Sequence, residues 1–320
     1  MHGAVVFMKR SALKSGWLAL ACFVLLTAAL PAMAMTAAPA AAIAWWYWPL
    51  LLFAASFVLG VVAVPSGVGG GVLFVPMVGA FFPFHLDFVR ATGLLVAMAG
   101  ALAAGPRLLR AGYADLRLAL PPILIASVTS VAGAFAGFAL SPKVVEISLG
   151  LTILAIALLM ALSKRAEVST ATHSDAWARA LALGGSFVDG VNGQRIHWRA
   201  QHTASGLALF AVIGFLAGLF GLGAGWANVP TLNLLMAIPL KVSLGTSGMI
   251  ISFSSSAAWV YLHEGAMIPL IVAPAVIGMM LGALLGARLL NVLPAAALRR
   301  LVICMLLLAG ARMLLKGLLD

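Results

Sequence analysis

Charged residues are scarce in this chain, and their scarcity excludes a soluble globular protein. Asp, Glu, Lys and Arg together make up 8% of the 320 residues, whereas a soluble domain carries about 25% because it must cover its surface with them. Hydrophobic residues account for 64% of the sequence, and the mean hydropathy is +1.15. This composition is typical of a protein whose solvent is a lipid bilayer.

Cysteine and histidine are also few, and their positions speak against a metal centre and against an enzyme. The two cysteines, Cys22 and Cys304, lie in separate apolar segments, and the six histidines show no metal-ligand spacing. No nucleophile is paired with a base in a pattern typical of catalysis. The sequence therefore predicts no catalytic residue, no metal and no cofactor, and we do not interpret the chain as an enzyme.

Apolar runs of membrane-spanning length recur along the chain. Such runs fold as helices because lipid offers no partner for backbone polar groups, and barrel strands would alternate apolar with polar residues instead. The sequence thus predicts an all-α, polytopic membrane protein. The candidate spans after residue 45 are 46–66, 72–84, 91–106, 119–139, 147–163, 204–222, 226–238, 244–262, 268–287 and 300–317.

Basic residues follow a topological pattern rather than a nucleic-acid-binding one. The net charge is +11, and the basic residues are concentrated in the connections 107–118 and 164–203, which share one side of the membrane if every span crosses. Basic connections face the cytoplasm, so we predict a cytoplasmic location for both and no nucleic-acid partner. The polar connection 164–203 separates two membrane halves, 41–163 and 204–320.

The first 40 residues admit two interpretations. Lys9, Arg10 and Lys14 precede an apolar run over 17–30, and an A-x-A pattern follows at 32–34. This order is typical of a cleavable signal peptide. An uncleaved membrane anchor is the alternative, and both interpretations place residue 40 outside the cytoplasm.

An internal repeat carries the functional interpretation. When the chain is shifted by 154 residues, PSGVGGGVLFVP from Pro65 aligns with LFGLGAGWANVP from Leu219. Glycines at matched positions let the backbone leave helical geometry, and the later proline removes a helical donor. Each cluster leads into an apolar run too short for an ordinary crossing, so we predict broken or re-entrant glycine-rich helices.

The number of elements in each half predicts their relative orientation. Each half has five candidate elements, and an odd number inverts the second half relative to the first. Transporters often use such inverted-topology repeats, with substrate held near discontinuous helices. Amide donors at a broken helix suit an anion, whereas exposed carbonyls would suit a cation. The alternative is that glycines only permit close packing, as we predict for Gly278, Gly282 and Gly286.

The paired glycine clusters resemble the TauE/SafE sulfite-exporter family of permeases. The residues that carry this resemblance are GVGGGVLFVP from Gly67, GLGAGWANVP from Gly221, the stretch GTS from Gly245, and SFVDGVNGQRIHW from Ser186. The resemblance covers about residues 46–317. It implies a multi-pass permease of the bacterial inner membrane for anions of the sulfite, sulfonate or sulfur-carboxylate type. Ala224, in place of a glycine, and Asn228 depart from the family pattern and leave the ligand open.

Polar residues near the breaks complete the candidate site. Thr92 and Thr246 are paired by the repeat, and Asn228 and Ser247 lie close to the second break; hydrogen bonding between helices is their alternative role. No charged residue or histidine is predicted at the centre of a span, where proton relays usually have one. Three explanations stay open: transport is uncoupled, a proton moves with the anion, or a charged residue at a span edge is drawn inward. The predicted substrate-binding residues are Gly67, Gly69, Gly70, Gly71, Pro76, Thr92, Gly221, Gly223, Gly225, Asn228, Pro230, Thr246 and Ser247.

The partners that this interpretation implies are the lipid bilayer and a small anionic substrate, and self-association into a homo-oligomer is left open. Two other functions remain as alternatives. One is transport of an unrelated small solute, and the other is a non-transporting membrane scaffold whose connection 164–203 binds a partner.

Overall fold

Helices dominate the part of the chain that the structure describes. The structure is a computed structural model, and it describes residues 46–66, 68–110, 112–162, 174–188, 195–289 and 295–319. The predicted signal peptide or anchor and the site residue Gly67 lie outside these ranges. Within them, seven helices are long and apolar enough to cross a membrane, which confirms the predicted all-α, polytopic membrane architecture.

The first half contains five helices in the predicted order. These are α1 (Tyr47–Ser66), α2 (Gly70–Phe81), α3 (Leu86–Arg110), α4 (Leu116–Ala139) and α5 (Pro142–Leu162). Local sequence explains where α4 begins, because the Asp115 carboxylate accepts hydrogen bonds from the amides of Arg117 and Leu118 and so satisfies two free donors at the helix start.

The second half contains the same series. It comprises α7 (Thr203–Phe220), α8 (Gly225–Pro230) with a π-helical turn (Thr231–Leu235), α9 (Leu240–Ser254), a 3₁₀ turn (Ser255–Ala257), α10 (Ala258–His263), α11 (Pro269–Leu289) and α12 (Ala295–Leu319). At the 154-residue shift of the sequence repeat, the start of α3 at Leu86 corresponds to the start of α9 at Leu240. The short helix α2 likewise corresponds to α8 with its π-helical turn.

Each half packs its fourth helix against the first helix of the other half. An added methyl group at Gly278, Gly282 or Gly286 of α11 would overlap or crowd the backbone carbonyls of α1. Gly214 and Gly218 of α7 make the equivalent close approach to the α4 backbone. Small residues at these positions let the helix axes come together, which is the packing role predicted for the α11 glycines.

The polar connection forms a small folded element next to the second half. It contains the short helix α6 (Ala176–Ala180) and an antiparallel hairpin of β1 (Gly184–Val188) with β2 (Arg195–Arg199). Phe187 and Trp198 of the hairpin are buried in one apolar cluster with Met236 and Ile238, which follow the π-helical turn. The Gln201 amide, two residues after β2, donates to the Met236 carbonyl at 3.1 Å, so the end of the hairpin is tied to the turn that follows the second short helix.

Candidate functional site

Both glycine clusters interrupt a helix. In the first, α1 ends at Ser66 and α2 begins at Gly70, after Gly69 with φ +90°. In the second, α7 ends at Phe220 and α8 begins at Gly225, after Gly223 with φ +68°. Gly69 and Gly223 are equivalent under the 154-residue shift. Other residues rarely adopt a positive φ, so both breaks depend on glycine at these positions.

The two breaks lie against each other through reciprocal contacts. An added methyl group at Gly71 would overlap the Leu222 carbonyl oxygen, and one at Gly225 would overlap the Val68 carbonyl oxygen. At the 154-residue shift, Gly71 corresponds to Gly225 and Val68 to Leu222. The same contact is therefore made twice with the roles of the halves exchanged, and only glycine leaves room for it.

The contact between the two breaks is called the crossing below. Two apolar side chains that were not predicted from the sequence lie against it. A methyl group at Gly223 would come within 2.7 Å of the Ala97 side chain, and one at Gly69 within 3.6 Å of the Ile251 side chain. Ala97 and Ile251 are also equivalent under the 154-residue shift. Their pairing by the repeat is the signal that identifies them, although apolar residues in a membrane helix attract no attention by themselves.

The other predicted glycines and prolines surround the crossing. Gly70 lies against the side chain of Met279, and Gly221 lies against the backbone of Arg90. Pro76 is buried inside α2, and Pro230 is the last residue of α8. Both prolines are therefore more than one helical turn beyond the glycines.

The two threonines of the predicted site make hydrogen bonds with the protein itself. The Thr92 hydroxyl donates to the Phe88 carbonyl at 2.7 Å, and the Thr246 hydroxyl accepts from the Asp115 amide at 3.3 Å. Thr92, Thr246 and Ser247 are all buried. These bonds favour the alternative role, in which the hydroxyls satisfy backbone groups rather than a substrate.

Asn228 stands out among the polar residues of the site. Its side chain is fully buried, yet neither its amide nitrogen nor its oxygen has a hydrogen-bond partner among the described residues. A buried polar group without a partner costs about 1–3 kcal/mol, so such groups are rare in native proteins. Asn228 lies in the first turn of α8, where the residue equivalent in α2 is Phe74. It offers a solute both a donor and an acceptor.

The start of each short helix adds donors. Neither α2 nor α8 has a side-chain hydrogen bond capping its N-terminus. The first amides of a helix carry a partial positive charge and have no partner within the helix. Both short helices thus begin at the crossing with a tendency to attract negative charge.

Arg90 differs from its predicted position. The predicted spans 72–84 and 91–106 leave it in the connection between them, but it lies inside α3, four residues after the helix begins, and is 1% exposed. The sequence contains one signal for its helical position. Asp87 lies three residues before Arg90, and this spacing pairs the two side chains on one face of a helix. The hydropathy pattern began the helix after this residue and so missed it.

Comparison with known proteins gives a consistent result. A family model described as "Sulfite exporter TauE/SafE" matches residues 51–313. The "Probable membrane transporter protein YunE" of Bacillus subtilis (strain 168) is 25% identical over 276 residues, which is 84% of this chain and 98% of that protein. The "Probable membrane transporter protein MamO" of Magnetospirillum gryphiswaldense is 29% identical over 269 residues, 75% of this chain and 42% of that protein. No solved structure matches the chain.

Proposed function

Because this chain belongs to the TauE/SafE sulfite exporter family and is a multi-pass membrane transporter rather than an enzyme, we propose that it is a permease for a small anion. The proposed substrates are sulfite, an organosulfonate or a related sulfur-containing or organic acid, and the proposed location is the bacterial inner membrane. The observation that carries the proposal is the reciprocal crossing of the two glycine breaks.

The crossing supplies what an anion needs inside a membrane. A negative solute that leaves water requires hydrogen-bond donors, because burying an unpaired charge is costly. The uncapped starts of α2 and α8 provide amide donors, and the side chain of Asn228 provides a further donor without a competing partner. The printed names of the two relatives support transport but specify no substrate.

Helix directions support the prediction that the halves are inverted. In the pair of equivalent helices α5 and α12, Gly317 lies against Ile147, Leu314 against Gly150, and Gly310 against Ile153. Residue numbers rise along α5 as they fall along α12, so the two helices are antiparallel. Equivalent helices that pack antiparallel are related by an axis perpendicular to their length, as an inverted repeat requires.

The described conformation is closed at the crossing. Backbone carbonyls of each break fill the space beside Gly71 and Gly225, so a solute passes only when the two breaks separate. Alternating movement of one half against the other is the transport mode that such repeats support. We further propose that the connection 164–203 is cytoplasmic, since it and the basic connection 107–118 fall on the same side of the membrane if every predicted span crosses.

Flux measurements in proteoliposomes test this function. We would compare labelled sulfite, an organosulfonate, a sulfur-containing carboxylate and a neutral solute of similar size, using wild type, Gly71→Ala, Gly225→Ala and the control Gly105→Ala. A methyl group at Gly105 meets nothing within 4 Å. We expect saturable anion flux in wild type, a loss of about tenfold or more at Gly71 and Gly225 because overpacking displaces the breaks, and little change at Gly105.

Each contrary outcome favours a different alternative. Faster movement of the neutral solute than of any anion would favour an unrelated substrate. Folded protein that moves none of these solutes would favour the scaffold. Anion flux that neither Gly71→Ala nor Gly225→Ala reduces would place the pathway away from the crossing.

A further inference from the structure

A buried arginine lies directly beside the second break. Arg90 is 1% exposed, and its guanidinium group donates to the Asp87 carboxylate at 2.8 Å. The rings of Phe138 and Tyr261 lie 5.6 and 5.2 Å from the guanidinium carbon. A cation inside a membrane protein is costly and is kept where it has a defined role.

The guanidinium group binds the carbonyl ends of two helices. It donates to the Leu219 carbonyl near the end of α7 and to the Gly137 carbonyl near the end of α4, the latter at 3.4 Å. The last carbonyls of a helix lack partners within the helix and carry a partial negative charge. Arg90 therefore neutralises two helix ends at once, and the absence of a side chain at Gly137 leaves space for it.

Tyr261 strengthens the same attachment from α10. Its hydroxyl donates to the Gly218 carbonyl at 2.8 Å and lies 3.3 Å from the Leu219 carbonyl. These carbonyls precede the break at Gly221, whose Cα packs against the backbone of Arg90. The end of α7 is thus held by side chains from two other helices, α3 and α10.

The first break has no equivalent of this attachment in the sequence. At the 154-residue shift, Arg90 corresponds to Leu244, Asp87 to Lys241 and Tyr261 to Arg107. The apolar Leu244 cannot donate a hydrogen bond, and the other two exchanges preserve neither the carboxylate nor the tyrosine. The glycine geometry of the two breaks is repeated, but the residues that make the arginine attachment are not.

The geometry points to Arg90 as a positioning residue that anchors the second break to α3 and α4. Arg90 acts through the α7 carbonyls and does not bind the substrate. This inference rests on the proposed function only for its effect on transport. The anchor itself is tested without any substrate, so the two proposals fail separately.

Hydrogen exchange of the full chain in lipid nanodiscs tests the anchor. We would compare Arg90→Met, Arg90→Lys and Tyr261→Phe with wild type, and follow the segments 216–225 and 68–73. The control is Arg312→Met, which removes an arginine that stacks at 4.7 Å on the ring of Phe81. We expect Arg90→Met to speed exchange in 216–225 about tenfold or more, because hydrogen bonds from a charged group are lost, and to leave 68–73 within about twofold.

The milder variants and the transport kinetics complete the test. Arg90→Lys and Tyr261→Phe should give smaller increases confined to 216–225, and Arg312→Met should give none there. In flux assays, Arg90→Met should lower the maximal rate more than it raises the half-saturating concentration. Equal increases in both segments, no increase in 216–225, or a raised half-saturating concentration at an unchanged maximal rate would each overturn the inference.

Discussion

The turns that end the two short helices are built differently, although the breaks that begin these helices are alike. After α2, the rings of Phe82 and Phe84 stack at 6.0 Å, and Trp48 lies 5.7 Å from Phe84. After α8, the equivalent positions are Met236 and Ile238. These two belong to one buried apolar cluster with Phe187 and Trp198 of the hairpin in the polar connection.

This difference distinguishes the breaks, which must stay alike in both halves, from the turns, which differ between the halves. The breaks contact each other, so a change in one half must fit the other, and their glycines are paired. The turns lie at the far ends of the short helices and face different surroundings. One packs with aromatic residues of its own half, and the other shares a buried cluster with the hairpin that the connection between the halves supplies.

Removing the largest hairpin side chain should have the greatest effect on this asymmetry. Trp198 is 3% exposed, and truncating a buried tryptophan costs about 3–5 kcal/mol. We expect Trp198→Ala to detach the hairpin and to speed hydrogen exchange in 236–240, without changing 82–85. Trp177→Ala in the same connection is the control, since that side chain is 59% exposed.

Two results of the Trp198 experiment would break the comparison. Equal acceleration in both turns would mean that the hairpin stabilises the whole membrane part rather than one turn. Unchanged exchange in 236–240 would mean that the turn after α8 is held by its own helices. Limited proteolysis of 174–202 would show independently whether the hairpin has detached.

Removing the Asp175 carboxylate should have the next largest effect, because this group ties the polar connection to the second half. Asp175 accepts hydrogen bonds from the Ala178 amide at 2.7 Å and from the Thr203 amide at 2.6 Å. It thereby caps α6 and fixes the start of α7. We expect Asp175→Ala to destabilise hairpin docking by about 1–2 kcal/mol, measured by exchange in 174–188, whereas Asp175→Asn, which keeps an acceptor, should lose less.

Because of the Asp175 carboxylate, we expect the docking of the hairpin to depend on pH. Burial by itself raises the pKa of Asp175, but the hydrogen bonds from Thr203 and Ala178 and the nearby His202 bring the pKa below its ordinary value. Its contribution is therefore fully present above the unfolded pKa of about 3.9 and is lost as the pH falls through the lower folded pKa. Docking should be constant from about pH 8 to 5 and weaken below about pH 4. In the Asp175→Asn protein, docking should no longer weaken below about pH 4 through this group. If docking still depends on pH as in wild type, other groups cause the dependence.

The sequence predicted the helices well and their ends less well. Hydropathy placed the short helices at 72–84 and 226–238, whereas they are Gly70–Phe81 and 225–235. Their starts were placed late because glycine was counted as a breaker, although Gly70 and Gly71 adopt helical geometry. Their ends were placed late because Phe84 and Ile238 are apolar but lie in turns. A hydropathy window does not distinguish apolar residues in a turn from apolar residues in a helix.

Only part of the candidate site could be predicted from the sequence. Matched glycines indicated two breaks, since the conformational freedom of glycine is a local property. Their contact with each other is a tertiary feature that no local pattern contains. Arg90 was missed for a related reason, because charge lowers the hydropathy of a helix end while partners from distant helices make its burial tolerable. The repeat did contain the pairing of Ala97 with Ile251, but only the folded contacts give that pairing a meaning.

Two threonines paired by the repeat give the smallest expected effect and the sharpest comparison between the halves. Thr246 accepts a hydrogen bond from the Asp115 amide of a different segment, whereas Thr92 donates to Phe88 within its own helix. A hydrogen bond between segments contributes about 1 kcal/mol, and one to the preceding turn of the same helix contributes little. Thr246→Val should therefore lower the thermal midpoint more than Thr92→Val.

Anion affinity decides whether these threonines belong to the site at all. If both hydroxyls only satisfy backbone groups, the half-saturating anion concentration should stay within about twofold of wild type in both variants, since losing one hydrogen bond to a charged substrate would change it by about tenfold or more. A tenfold rise in either variant would assign that hydroxyl to the substrate. A rise in both would mean that the substrate contacts the halves symmetrically, and that the asymmetry of the turns does not extend to the crossing.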